Sequence, residues 1–176
     1  RSTLFPYTTL FRSRHAGVLR AVAELADWKN AKLEPGRARG VAVVESFGTF
    51  VAQVVELSMT AEGPKVHKVW CAVDCGIAVN PDIIRAQMEG GIGFGLGHIL
   101  YADVAMDDEG RVTTGNFDSY RSLRINEMPE IQVTIVKSNE KPSGVGEPGV
   151  PPIGPAVANA MAKLGHVRPR QLPIVP

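Results

Sequence analysis

From Ala16 to Trp28 the apolar residues Val18, Leu19, Val22, Leu25, Ala26 and Trp28 recur every three or four positions, which predicts an amphipathic helix. A polar stretch follows from Asn30 to Gly40. It carries Pro35, Gly36 and three basic residues, and reads as a linker between elements of one domain. The pattern then changes. Val41–Val44 and Phe50–Met59 are rich in β-branched and aromatic residues and predict strands. Glu62-Gly63-Pro64 marks a turn, and Val66–Asp74 reads as the return strand of a hairpin. His67 alternates with apolar neighbours there and is expected to be an exposed strand residue.

Asn80-Pro81-Asp82 combines a capping side chain, a proline in the first turn and an acid against the helix dipole. A helix is predicted from there through Ile83, Ile84, Ala86, Gln87 and Met88. The run Gly90-Gly91-Ile92-Gly93-Phe94-Gly95-Leu96-Gly97 opposes helix on propensity, at about 1 kcal/mol per glycine, and its alternation also fits a strand. We favour helix to about Leu100, because small residues at this spacing let a backbone or ligand come close. Ile99–Met106 and Arg111–Thr114 flank an Asp107–Gly110 turn and predict a second hairpin or extended pair. Ile131–Val136 alternates like a strand, and Pro155–Leu164 predicts a small-residue helix stopped by Gly165. The expected fold class is α+β, mixed β-hairpins and helices rather than a βαβ series.

Composition narrows function mainly by exclusion. A formal net charge of +1 gives no electrostatic case for nucleic acid or a membrane surface. No apolar stretch is long enough to be a transmembrane segment, and no secretory signal pattern is present. Cys71 and Cys75 cannot by themselves hold an iron–sulfur cluster or a four-thiolate zinc site; four apart in a strand-like run, they share a face and are expected to be buried. Residues 1–13, RSTLFPYTTLFRS, match the translation of a short-read sequencing adapter and are expected to be non-native. Residues 14–176 are then expected to be a C-terminal fragment whose upstream domains, and any export signal, lie elsewhere. The compartment, cytoplasmic or periplasmic, stays open.

The candidate chemistry lies in Gly144-Val145-Gly146-Glu147-Pro148-Gly149, followed by Val150-Pro151-Pro152. A lone carboxylate among residues with almost no side chains, stiffened by prolines, suits a general base: fixed position, restricted water, tunable pKa. The run also fits G-x-G-x-x-G, but prolines interrupt any immediate helix and no Asp or Glu follows Glu147, so a dinucleotide site is disfavoured. A solvated surface turn is the plain alternative.

Three runs taken in order resolve that choice: Val73-Asp74-Cys75-Gly76 leading to Asn80-Pro81, Gln87-Met88-Glu89-Gly90-Gly91 with Gly95-Leu96-Gly97, and Gly144–Pro148. Together they resemble the C-terminal part of the molybdopterin-binding large subunit of the xanthine dehydrogenase and aldehyde oxidase family. Asn126-Glu127-Met128-Pro129 and Gly149–Ile153 look most like isoquinoline 1-oxidoreductase beta subunits and related bacterial nicotinate or aldehyde dehydrogenase subunits. The resemblance implies a molybdenum hydroxylase that oxidises an electron-poor carbon of an N-heterocycle or aldehyde with oxygen from water. It implies Glu147 as general base, Gln87 as a hydrogen-bond partner of the molybdenum cofactor, and Gly144, Val145 and Gly146 in the loop lining that cofactor. It further implies molybdopterin in its cytosine dinucleotide form, and a small partner subunit carrying 2Fe-2S clusters. Asp74, Asn80 and Glu89 match the pattern and are read as structural. The alternative is a non-catalytic module of the same fold that serves partner contact.

Overall fold

The computed structural model describes residues 14–175. Their elements follow in the order α1 (Ala16–Leu25), β1 (Arg37–Ser46), β2 (Thr49–Thr60), β3 (Gly63–Asp74), α2 (Pro81–Leu100), β4 (Glu130–Ile135) and α3 (Ile153–Lys163), with one 3-10 turn at Ile125–Glu127. This is the expected α+β layout. The adapter-like residues 1–13 lie outside the described residues. The four strands form one sheet in the order β1-β2-β3-β4. β1 and β2 pair antiparallel, as do β2 and β3, while β4 lies parallel to β3, with Lys68 opposite Glu130 and Val73 opposite Ile135.

Both faces of the sheet are covered, which is why β2 and β3 read as nearly continuous apolar runs. Successive side chains point to opposite faces. Val51, Val55 and Leu57 join Val69, Cys71 and Val73 in a core with α2 and α3, to which α2 contributes Ile84, Met88, Ile92 and Leu96. Phe50, Ala52, Val54, Trp70 and Ala72 face α1 and pack on Val18 and Val22.

α2 runs unbroken through its glycines to Leu100, as favoured. The reason is close approach to its neighbours. A Cβ on Gly95 would lie 2.6 Å from Ile153 Cγ2, and one on Gly91 would lie 3.3 Å from Gly149 Cα. Asn80 caps the helix by accepting from the Asp82 and Ile83 amides at 3.2 and 3.1 Å.

Elsewhere the boundaries move. α1 stops at Leu25, and Trp28 stands 42% exposed beyond it. Residues 37–40, read as linker, begin β1, because Arg37 and Arg39 form cross-strand ion pairs with Glu56 at 3.0 and 2.8 Å. Phe47 (φ 55°) and Gly48 (φ 72°) make an unforeseen two-residue hairpin turn into β2. His67 is half-buried rather than exposed. It sits where the β2–β3 register shifts and lies 2.8 Å from Ser58 Oγ. The second hairpin shrinks to a single Met106–Val112 bridge, since Ile99 and Leu100 belong to α2. Val104, Met106 and Val112 are exposed, and the Asp107 carboxylate closes the turn itself by accepting from the Glu109 and Arg111 amides. α3 begins at Ile153, two residues before the predicted Pro155, and Gly165 (φ 89°) follows its end.

Candidate functional site

The glycine-rich loop lies against α2 on the face of the sheet that carries the larger core. Pro148 and Gly149 are buried, and the Val150 amide donates to the Glu147 carbonyl at 2.9 Å, closing a turn around them. Gly149 meets Met88 of α2 nearly backbone to backbone: a Cβ there would sit 3.1 Å from the Met88 carbonyl oxygen. Glycine at 91 and at 149 is what permits this approach.

Gln87, half-buried one helical turn before Gly91, donates from Nε2 to the Gly146 carbonyl at 3.2 Å. Gln87, Gly90, Gly91, Phe94, Gly146, Glu147, Val150 and Pro151 line a groove of about 370 Å³. Two residues singled out for different reasons, Gln87 and Glu147, thus share one groove, though 60 positions apart in sequence. The bare wall expected around Glu147 is present, and a Cβ on Gly90 would meet nothing within 4 Å. The restricted water is not: Glu147 is exposed, because only the backbone of its turn packs onto α2. Gly144 and Val145 lie outside the groove. Gly144 packs beside Phe47, and Val145 packs against the larger core.

Sequence reasoning missed the supports behind the loop. Thr49 Oγ1 donates to the Gly144 carbonyl at 2.7 Å and lies 2.6 Å from Ser143 Oγ. Gln53 Nε2 donates to the Gly149 carbonyl at 2.8 Å. Both side chains are fully buried. The available signal was two polar residues four apart on an otherwise apolar strand face. The loop's approach is fixed further back, where the Ser143 amide donates to the Cys75 carbonyl and the Ile77 amide to the Glu140 carbonyl.

The remaining expectations divide. Asp74 is structural, as expected. Its carboxylate accepts from Arg14 Nε and Nη2 at 2.8 and 2.7 Å and from the Gly76 amide at 3.0 Å. Burial alone would push this carboxyl up; Arg14 and the Gly76 amide outweigh it and hold it below the usual carboxylate range. Glu89, also expected to be structural, is exposed and its side chain makes no hydrogen bond or ion pair among the described residues, since it lies on the solvent side of α2. Cys71 and Cys75 are buried in one core, and burial pushes the Cys71 thiol up to about 12, which keeps it inert.

Residues 14–129 match the model of the molybdopterin cofactor-binding domain. Over 167 residues the chain is 39% identical to the isoquinoline 1-oxidoreductase subunit beta of Brevundimonas diminuta, covering 93% of this chain and 21% of that protein. It is 32% identical to a membrane-bound aldehyde dehydrogenase (pyrroloquinoline-quinone) of Gluconacetobacter polyoxogenes, covering 93% and 22%. Among solved structures, quinoline 2-oxidoreductase from Pseudomonas putida 86 superposes with a TM-score of 0.59 at 26% identity, over 72% of this chain and 17% of that one. The chain therefore spans about a fifth of the length of the curated relatives it matches.

Proposed function

Because this chain belongs to the molybdopterin cofactor-binding domain family, we propose that residues 14–176 form one wall of the catalytic site of a molybdenum hydroxylase, with Glu147 as its general base. The observation that carries this reading is the shared groove of Gln87, Gly146 and Glu147. The residues present fit the cofactor. The groove has a bare glycine wall, and the Gln87 carboxamide uses one N–H on Gly146, leaving a second N–H and a carbonyl oxygen for a bound group. When bound, the molybdenum cofactor supplies the redox chemistry and oxygen transfer that the protein cannot.

The chain's own residues do the rest. Gln87 donates to the cofactor without adding charge. Gly146 presents no side chain to the groove and would leave room for a bound group there, while Gly144 and Val145 hold the loop's root. With the cofactor bound, the Glu147 carboxylate would accept the proton released as water-derived oxygen is transferred to the substrate carbon, the cofactor supplying the acceptor for the electron pair of the C–H bond that breaks. The names of the relatives favour an N-heterocycle or an aldehyde as substrate. We extend the proposal to the cytosine dinucleotide form of molybdopterin and to a small partner subunit whose 2Fe-2S clusters carry electrons away. Among the described residues no helix is long and apolar enough to cross a membrane.

The test is turnover of the complete enzyme, assembled with its partner, as wild type and Glu147→Gln at equal molybdenum content on a heterocycle and an aldehyde. A loss of at least about 100-fold is expected for removing a positioned base. Unchanged turnover with molybdenum bound overturns the base assignment. Absence of molybdenum from both proteins points to the non-catalytic module instead. The isolated segment 14–176 is expected neither to retain molybdenum nor to turn over substrate.

A further inference from the structure

We infer that Thr49 and Gln53 are positioning residues for Glu147: β2 grips the glycine-rich loop at both ends through two hydrogen bonds from buried side chains, the one to Gly149 buried and the one to Gly144 part-buried, and so sets where the carboxylate stands relative to Gln87. The inference rests on the reading of Glu147 given above.

Thr49 and Gln53 lie four apart on β2 and are fully buried. The neighbours sharing their face, Val51, Val55 and Leu57, are all apolar and belong to the larger core. A polar side chain in such a place costs stability unless it is bonded, so the sheet alone would be better served by two more aliphatic residues. Both bonds go to the loop. Thr49 holds the Gly144 carbonyl, three residues before Glu147, and Gln53 holds the Gly149 carbonyl, two residues after it. Between these points the chain closes on itself through the Val150 amide and the Glu147 carbonyl. α2 meets the same loop through Gly91 and Met88 at Gly149, and through Gln87 at Gly146. The backbone of Glu147 is thereby held by β2 at both flanks, by α2 and by its own turn, while its side chain stays in the groove. A hydrogen bond is directional where apolar packing is not, so these two bonds fix the loop's register as well as its depth.

The test uses the complete enzyme with the near-isosteric variants Thr49→Val and Gln53→Met, and Thr49→Ser as rescue. Each of the first two is expected to lower kcat about 10- to 100-fold, as a base displaced by a fraction of a bond length does, with KM and molybdenum content within about twofold of wild type. Thr49→Ser keeps the hydroxyl and is expected to stay within about threefold of wild type. A second readout is independent of chemistry. Hydrogen exchange at the Val150 amide should accelerate about tenfold or more in Gln53→Met, while Ile92 and Leu96 in α2 keep their protection.

Equal acceleration in the loop and α2 overturns the inference, because it signals plain destabilisation. So does unchanged exchange at Val150, or a Thr49→Ser enzyme as impaired as Thr49→Val. Normal kcat in Gln53→Met beside an inactive Glu147→Gln enzyme overturns this inference alone. Normal turnover in Glu147→Gln overturns the base assignment, and the kinetic part of the inference with it.

Discussion

The two faces of β2 are built differently. Towards α1 the strand presents Phe50, Ala52 and Val54, and the contacts with Val18 and Val22 are apolar throughout. Towards the loop, the series Val51, Val55, Leu57 is interrupted by Thr49 and Gln53, each bonded to a loop carbonyl. The first face holds a helix on a sheet, with non-directional burial at its centre and polar ties at its edges, where Arg39, paired with Glu56, donates to the Ala26 carbonyl just past α1 and Arg14 pairs with Asp74. The second must hold an irregular backbone that buries Pro148 and Gly149 but has no ladder of its own, so its carbonyls need side-chain partners. The first face is therefore expected to govern stability, and the second geometry at Glu147.

The variant with the largest expected effect on stability lies at the edge of the α1 face. Arg14 pairs with the 4% exposed Asp74, donates to the Asp74 carbonyl at 3.1 Å and lies 4.3 Å over the Phe50 ring. Arg14→Met strands a buried carboxylate and should lower stability in urea unfolding by about 3 kcal/mol, the low end of the range for a broken buried pair because Arg14 is partly exposed. Kinetics of the folded complete enzyme should not change; a kcat loss matching that of Gln53→Met would erase the contrast between the faces.

Val22→Ala comes next, at about 2 kcal/mol for a fully buried valine, again with kcat intact. An acid titration sharpens the same point. Burial would raise Asp74 and Glu56, but their arginine partners, joined at Asp74 by the Gly76 amide, hold both below the ordinary carboxylate value. The unfolded chain then binds more protons than the folded one. Stability should be full above the unfolded carboxylate pKa of about 4 and fall as pH drops below it. Arg14→Met should flatten that fall, since it removes the Asp74 contribution; an unaltered acid profile would show that the pair does not set it. The smallest effect is expected at Gly90→Ala, where a methyl meets nothing within 4 Å: a gain of about 1 kcal/mol in the same unfolding measurement.

Local signals in the chain were readable where one element sufficed. The Asn80 cap, the end of α3 at Gly165 and the existence of the β2–β3 turn depend on neighbours a few residues away, although the chain turns at Ala61-Glu62 and Gly63 and Pro64, expected in the turn, already pair in β3. What stayed hidden depends on distant partners. Arg37–Gly40 looks like linker until Glu56 and α3 are in place; a Cβ on Gly40 would run into the α3 backbone at Ala156 and Ala160. Phe47 gives no turn signal, because a left-handed phenylalanine opposes the usual residue preference for such turns. At the site, the family resemblance reached Gln87 and Glu147, and the groove brings them together. The exposure of Glu147 follows from how the loop crosses the sheet, and the two polar positions on the apolar face of β2 hinted at buried roles for Thr49 and Gln53 without naming their partners, which lie 95 and 96 residues on.

The parallel placement of β4 also bears on the order of events during folding. Thr60 pairs with Gly63 across a tight turn, whereas Lys68 must find Glu130 across α2 and the whole irregular stretch after it. Closing so long a loop is entropically costly and slow, so the three-stranded meander is expected to assemble early and β4, with the Glu147 loop behind it, late. In pulse-labelled hydrogen exchange the β1–β3 amides should gain protection before those of β4 and Val150, and simultaneous protection would contradict this sequence. A chain caught between the two stages has the sheet formed and the loop still undocked, so that Thr49 and Gln53 have not yet met the carbonyls of Gly144 and Gly149 and the groove beside Gln87 lacks its second wall.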